Sequence, residues 1–140
     1  MSSGLHTLIR LHKWRLDEKR RALSELQALA DKLAQDTARL EREITAEQEI
    51  ARTSPEAAFG YGNFAKQAIE RRRRLAQSVA QVEQQIAQAT EEMAEAFQEL
   101  KRYELAQEGR DRRDEAKRKV RENAALDETA LSGFMRRREP

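Results

Sequence analysis

The chain has 140 residues, of which 37% are charged and only 5% are aromatic. Its 27 basic and 25 acidic residues give a formal net charge of +2, which argues against the basic face of a typical nucleic-acid-binding protein. There is no cysteine, which excludes disulfides and thiolate metal sites. This composition is typical of long helices and coiled coils, and its apolar residues suffice for a stripe but not for a layered core.

Helix-breaking residues are confined to a few places along the chain. No Gly or Pro stands between Gly4 and Pro55, and none stands between Gly62 and Gly109. The pattern predicts an all-α fold in which two long helices form an antiparallel coiled-coil hairpin. We predict one domain over 1–140, composed of helix 1 over 5–53, a connector over 54–63, helix 2 over 64–131 with a fraying end, and a tail over 132–140.

A seven-residue repeat runs through both helical stretches. Apolar residues dominate two positions of each heptad, which keeps one stripe of each helix facing its neighbour. In the first stretch these positions hold Ile9, His12, Leu16, Lys19, Leu23, Leu26, Ala30, Leu33, Thr37, Leu40, Ile44, Glu47 and Ala51. In the second they hold Ala65, Ala68, Arg72, Leu75, Val79, Val82, Ile86, Ala89, Met93, Ala96, Leu100 and Tyr103.

The connector carries its own signals. Ser54 is a good N-cap residue, Pro55 suits the first helical position, and an acid follows at Glu56. We expect these residues to start a short helical turn. The glycines at positions 60 and 62 would then let the backbone reverse before Asn63 caps the second helix.

A symmetric connector fixes the pairing of the two helices. In an antiparallel pair joined by a ten-residue link, the numbers of two facing residues should total roughly 117, so residue i should lie near residue 117 − i. Arg72 falls on the seam in this register, and we predict that it forms an ion pair with Glu47. The second helix should outrun the first from about Arg112, and a helix without a partner there should fray unless another protein covers it.

The aromatic residues suggest contact surfaces. Trp14 lies at the edge of the first stripe and is either half-buried or an anchor for a partner, since tryptophan is enriched in binding hot spots. Phe59, Tyr61 and Phe64 cluster at the turn, where they either cap the hairpin or dock a partner. No phosphate loop, zinc-binding HExxH or nucleophile elbow is present. We therefore predict a non-enzyme with no catalytic residue, cofactor, metal site or small-molecule ligand.

Two alternative functions follow from the charge pattern. Arginines at 71–74 and the basic run over 110–121 are compatible with a helical arm that binds nucleic acid, whose affinity would fall steeply with salt. A generic coiled-coil scaffold or a chaperone that grips clients between helix ends is the other alternative. The absence of an apolar stretch of about 20 residues argues against a membrane span.

Particular residues give the chain a family resemblance. Tyr61-x-x-Phe64 at the entry to the second helix and Glu122-Asn-x-x-Leu126-Asp-Glu-x-Ala130 near the C-terminus resemble FliJ. FliJ is the small component of the flagellar type III export apparatus and is similar to the gamma-subunit stalk of rotary ATPases. The resemblance covers essentially the whole chain.

The resemblance implies partners and a location. It implies binding to the ring of the export ATPase FliI, promotion of ring assembly and ATP hydrolysis, and contact with the export gate FlhA; FliH and export chaperones are further candidates. It also implies a cytoplasmic protein at the inner membrane of the flagellar basal body. The implied gate-binding residues are Phe64, Ala68 and Ile69. The implied ATPase-ring-binding residues are Leu5, Leu8, Ile9, Arg10, Arg118, Arg121, Leu126 and Leu131.

Overall fold

The computed structural model describes residues 2–138, and the side chains of residues 4–138. It contains two helices, α1 (Ser2–Thr53) and α2 (Pro55–Arg138), and no strand within the described range. The two helices pack against each other, and α2 is the longer, with 84 residues against 52. This confirms the predicted all-α fold. No stretch of the described helices is long and apolar enough to cross a membrane.

Ser54 alone separates the two helices. Its N–H donates to the carbonyl of Ile50 at 3.2 Å, which completes the last turn of α1. Pro55 has no N–H and disfavours a helical conformation of the residue before it, so the helix ends there. The Ser54 hydroxyl then accepts a hydrogen bond from the N–H of Ala57 at 3.4 Å. The predicted N-cap, the proline at the first helical position and the acid at Glu56 are confirmed.

The predicted connector over 54–63 is wrong beyond its first residue. α2 already begins at Pro55, so Gly60, Gly62 and Asn63 lie within the helix. No glycine has a positive φ, and neither of these two makes a turn. A serine cap followed by proline is sufficient to start a helix. Glycine can adopt helical φ values as well as positive ones, so it does not by itself end the helix. The boundaries predicted at 5 and 131 are also wrong, because α1 begins at Ser2 and α2 extends to Arg138.

The tertiary contacts divide the chain into two compact units, which are described separately. The middle unit is Trp14–Phe97. The terminal unit combines Met1–Lys13 with Gln98–Pro140. Whether the chain folds as a single domain, as the sequence suggested, stays a prediction.

The core of the middle unit is the predicted stripe. Every heptad seam position predicted within residues 14–97 is buried or half-buried, with the single exception of Arg72. Leu40 is the most completely enclosed side chain, with 1% of its surface exposed. The fully buried apolar members are Leu16, Leu23, Leu40, Ala68 and Val82. The repeat therefore identified the contacting faces of both helices.

The terminal unit is paired over only part of its length. Leu5, His12 and Leu100 are buried, so residues near the start of α1 pack against α2 just after Gln98. Beyond this contact, every residue from Arg110 to Ser132 is exposed. We call residues 118–138 the unpaired segment. It confirms the prediction that α2 outruns α1, and it remains helical throughout.

Candidate functional site

Three ion pairs cross between the helices of the middle unit. Arg72 binds Glu41 through two parallel hydrogen bonds of 2.8 Å each, from Nε to Oε1 and from Nη2 to Oε2. Nearby, Arg71 Nη1 lies 3.4 Å from Glu43 Oε2. Further from the turn, Lys19 Nζ lies 3.0 Å from Glu92 Oε2.

The partner predicted for Arg72 is wrong. Its guanidinium binds Glu41 rather than Glu47, six residues away along α1. The reason is the short turn: the residue numbers of the crossed pairs total 113 for Arg72–Glu41 and 111 for Lys19–Glu92, below the expected value of about 117. Both side chains are about half exposed, so this pair lies at the edge of the seam rather than in it.

Glu92 has a perturbed pKa because two side chains donate hydrogen bonds to its carboxylate. The hydrogen bond donated by Lys19 lowers its pKa below the ordinary value of 4.5. A second hydrogen bond, from Gln88 Nε2 at 3.2 Å, acts in the same direction. Both donors stabilise the charged form of the carboxylate.

The implied gate-binding residues differ in accessibility. Ala68 is 4% exposed and packs inside the helix interface, so it is not accessible to a partner. Phe64 is half-buried, with its ring centroid 6.2 Å from that of Tyr61. Ile69 is 63% exposed, and Phe59 is 96% exposed. The start of α2 thus presents accessible apolar side chains, and the exposure of Phe59 favours partner docking over capping of the hairpin for this residue.

Trp14 resolves one of the open alternatives. Its side chain is 60% exposed, so it is not a half-buried part of the stripe. An exposed tryptophan is compatible with a role as an anchor for a partner.

A polar hollow lies along the middle unit, beyond the turn. It has a volume of about 330 Å³ and is lined by Asp36 and Arg39 of α1 and by Arg71, Arg74, Leu75 and Ser78 of α2. Sequence reasoning noticed the run of four arginines but not this hollow. The hollow depends on which α1 residues lie opposite the four arginines. The register expected from the sequence differed from the observed one by several residues.

Two of the four implied ring-binding residues of α1 are used inside the protein. Leu5 is buried and Ile9 is half-buried, so both contribute to packing within the terminal unit. Leu8 and Arg10 are exposed and available to a partner.

The implied ring-binding residues of α2 all lie on the unpaired segment. Arg118 is held within its own helix by Glu115 at 2.6 Å and Glu122 at 3.8 Å. Arg121, Leu126 and Leu131 are exposed. The segment therefore combines ion pairs that support an isolated helix with exposed apolar side chains.

An apolar face runs along the unpaired segment. Val120, Ala124, Leu131 and Phe134 are separated by four, seven and three residues, which places them on one side of a helix. Leu126 does not belong to this face, because it lies five residues before Leu131. The wide spacing of these four residues can be read from the sequence, whereas their exposure is known only from the structure.

One comparison with known proteins is informative. The sequence model of a protein family described as "Flagellar FliJ protein" matches residues 1–139. Neither a curated protein nor a solved structure matches the chain.

Proposed function

The chain belongs to the FliJ family of flagellar proteins, and from this membership we propose that it is a non-enzymatic stalk that couples two parts of the export apparatus. Its role is related to flagellar protein export. In the proposal it binds the ring of the export ATPase FliI, promotes ring assembly and ATP hydrolysis, and contacts the export gate FlhA. It would act in the cytoplasm, held at the inner membrane through the gate, with FliH and export chaperones as further partners.

The unpaired segment is the observation that carries the ring contact. A single helix that exposes Val120, Leu131 and Phe134 gains stability when another protein covers that face. A narrow helix without a second layer can also enter the opening of a ring. Leu8 and Arg10 of the terminal unit are also exposed and offer further surface.

The accessible apolar side chains at the start of α2 support the gate contact. Phe59 and Ile69 are accessible, and Phe64 is partly so. Exposed aromatic side chains of this kind serve as anchors in protein interfaces. A stalk with one binding surface at the turn and another at the chain ends can contact two partners.

An ATPase assay with purified FliI tests the ring contact. We expect the wild-type chain to raise the hydrolysis rate at low ATPase concentration, because it favours ring assembly. The double substitution V120D/L131D should abolish this stimulation, since it places two charges on the apolar face. A125D/T129D is the matched control, since it adds the same two charges at exposed positions of the same segment that lie on another side of the helix.

The assay has a clear contrary outcome. If V120D/L131D stimulates hydrolysis as well as the wild type does, the apolar face is not the ring contact. If the wild type binds the ring in a pull-down but leaves the rate unchanged, the proposed activation is wrong.

A further inference from the structure

The polar hollow contains two arginines that face each other across the helices. Their residue numbers, 39 and 74, total 113, which is the register of the Arg72–Glu41 pair. In this register the carboxylate of Glu41 lies opposite Arg72, whereas the cation Arg39 lies opposite Arg74. Within the described residues, neither Arg39 nor Arg74 has a carboxylate within 4 Å, whereas Arg71 and Arg72 each have one.

The composition of the hollow indicates what would complete it. Of the three guanidinium groups that line it, that of Arg71 is paired with Glu43, and those of Arg39 and Arg74 outnumber the single carboxylate of Asp36, so the hollow carries an excess of positive charge. Guanidinium groups bind carboxylates through paired hydrogen bonds, and such charge-assisted bonds are stronger than neutral ones. Leu75 adds an apolar wall that suits the aliphatic stem of a glutamate, and the Ser78 hydroxyl adds a donor.

The hollow continues the surface proposed to bind the gate. Leu75 follows Phe64 by eleven residues, which is close to three full helical turns, so both lie on the same side of α2. At 1.5 Å per residue they are about 16 Å apart along the helix. One polypeptide segment can therefore contact Phe64 and the hollow together.

We propose that the hollow between Arg39 and Arg74 binds acidic side chains of the protein that docks against Phe64. This inference rests on the proposed contact with the export gate and adds the chemistry of the partner. A polypeptide fits better than nucleic acid, because Asp36, Glu41 and Glu43 interrupt the positive surface on the α1 side. Nucleic acid requires a continuous basic track along its phosphates.

Binding of full-length variants to the cytoplasmic domain of the gate tests the inference. R39Q/R74Q should weaken binding by at least about tenfold, the loss expected for removing charge-assisted hydrogen bonds. Arg74→Glu should weaken it to a similar extent, because it changes the charge of the hollow by the same two units and offers Arg39 a partner within the chain. R42Q/R73Q is the matched control: it removes the same charge from the same helices, at exposed positions that do not line the hollow.

The possible outcomes separate the two proposals. Wild-type affinity for R39Q/R74Q and Arg74→Glu, with thermal stability retained, overturns the acidic-partner inference and leaves the gate contact standing. Equal losses in R39Q/R74Q and R42Q/R73Q also overturn it, because general electrostatic attraction would then suffice. If the wild-type chain does not bind the gate domain, the gate contact fails and the inference fails with it. If R39Q/R74Q loses only salt-sensitive binding to a single-stranded oligonucleotide, the hollow binds nucleic acid and the inference is wrong.

Discussion

The imidazole ring of His12 is stacked on the phenol ring of Tyr103, with centroids 4.6 Å apart and planes 22° from parallel. His12 is the one buried polar residue among those described, and its ring takes the place of an aliphatic side chain on the seam. The stack joins α1 to α2 within the terminal unit, a short way before the unpaired segment begins. It therefore contributes to the packing of α1 on α2 in this unit.

Loss of this stack should loosen the start of α1. Tyr103→Leu keeps an apolar side chain but removes the ring contact, which is worth about 1 kcal/mol beyond buried area. We expect backbone amides of residues 5–13 to exchange hydrogen roughly fivefold faster, as such a free-energy change implies. His12→Phe retains a stacked pair and should exchange at nearly the wild-type rate. Unchanged exchange in Tyr103→Leu would show that the stack contributes no stability.

The Arg72–Glu41 pair should show measurable coupling. It has bidentate geometry, but both side chains are about half exposed, so screening by solvent limits its contribution. A double-mutant cycle with R72A and E41A, followed by urea unfolding, should give a coupling of about 0.5–1 kcal/mol. The same cycle with R72A and E47A should give a coupling near zero. A larger coupling with Glu47 would contradict the register described above.

Glu92 should contribute to the loss of stability in acid. Its pKa is lower in the folded chain than the ordinary 4.5, so the unfolded chain binds more protons near that pH. The stability that Glu92 contributes is present above pH 4.5 and is lost as the pH falls through its folded pKa. Urea midpoints measured between about pH 3 and pH 6 should fall less steeply for Glu92→Gln than for the wild type.

A neighbouring glutamate provides the control for this measurement. Glu91 is exposed, and Glu91→Gln removes a carboxylate from the adjacent position. We expect it to keep the wild-type slope. An identical slope for Glu92→Gln would contradict the role given to the Lys19–Glu92 pair.

Alanine at the glycines of the first turns of α2 should stabilise the protein. Gly60 and Gly62 are helical, have no positive φ, and leave open space where a Cβ would be added. Gly60→Ala and Gly62→Ala should each add about 0.5–1 kcal/mol, because alanine loses less backbone entropy in a helix. Thermal unfolding measures the effect. Destabilisation by either change would instead favour the loop that the sequence suggested.

The sequence determined the helices and their contacting faces. Charged, alanine-rich stretches without Gly or Pro can form long helices, and the heptad repeat selects the buried side of each because that side alone is apolar. The cap at Ser54 was equally readable, since serine followed by proline and an acid is a local signal. The family resemblance likewise rested on short local motifs.

Only the tertiary structure decided which residues of the two helices meet. A seven-residue repeat fits equally well after a shift of one heptad, so the register depends on the length of the turn. Gly60 and Gly62, where the sequence suggested a chain reversal, are helical. The cap at Ser54 starts the helix before them, and the low helix propensity of two glycines does not end it. That shorter turn paired Arg72 with Glu41 instead of Glu47 and brought Arg39 opposite Arg74. The sequence thus determined what each helix can bury, while the charges that face each other followed from packing.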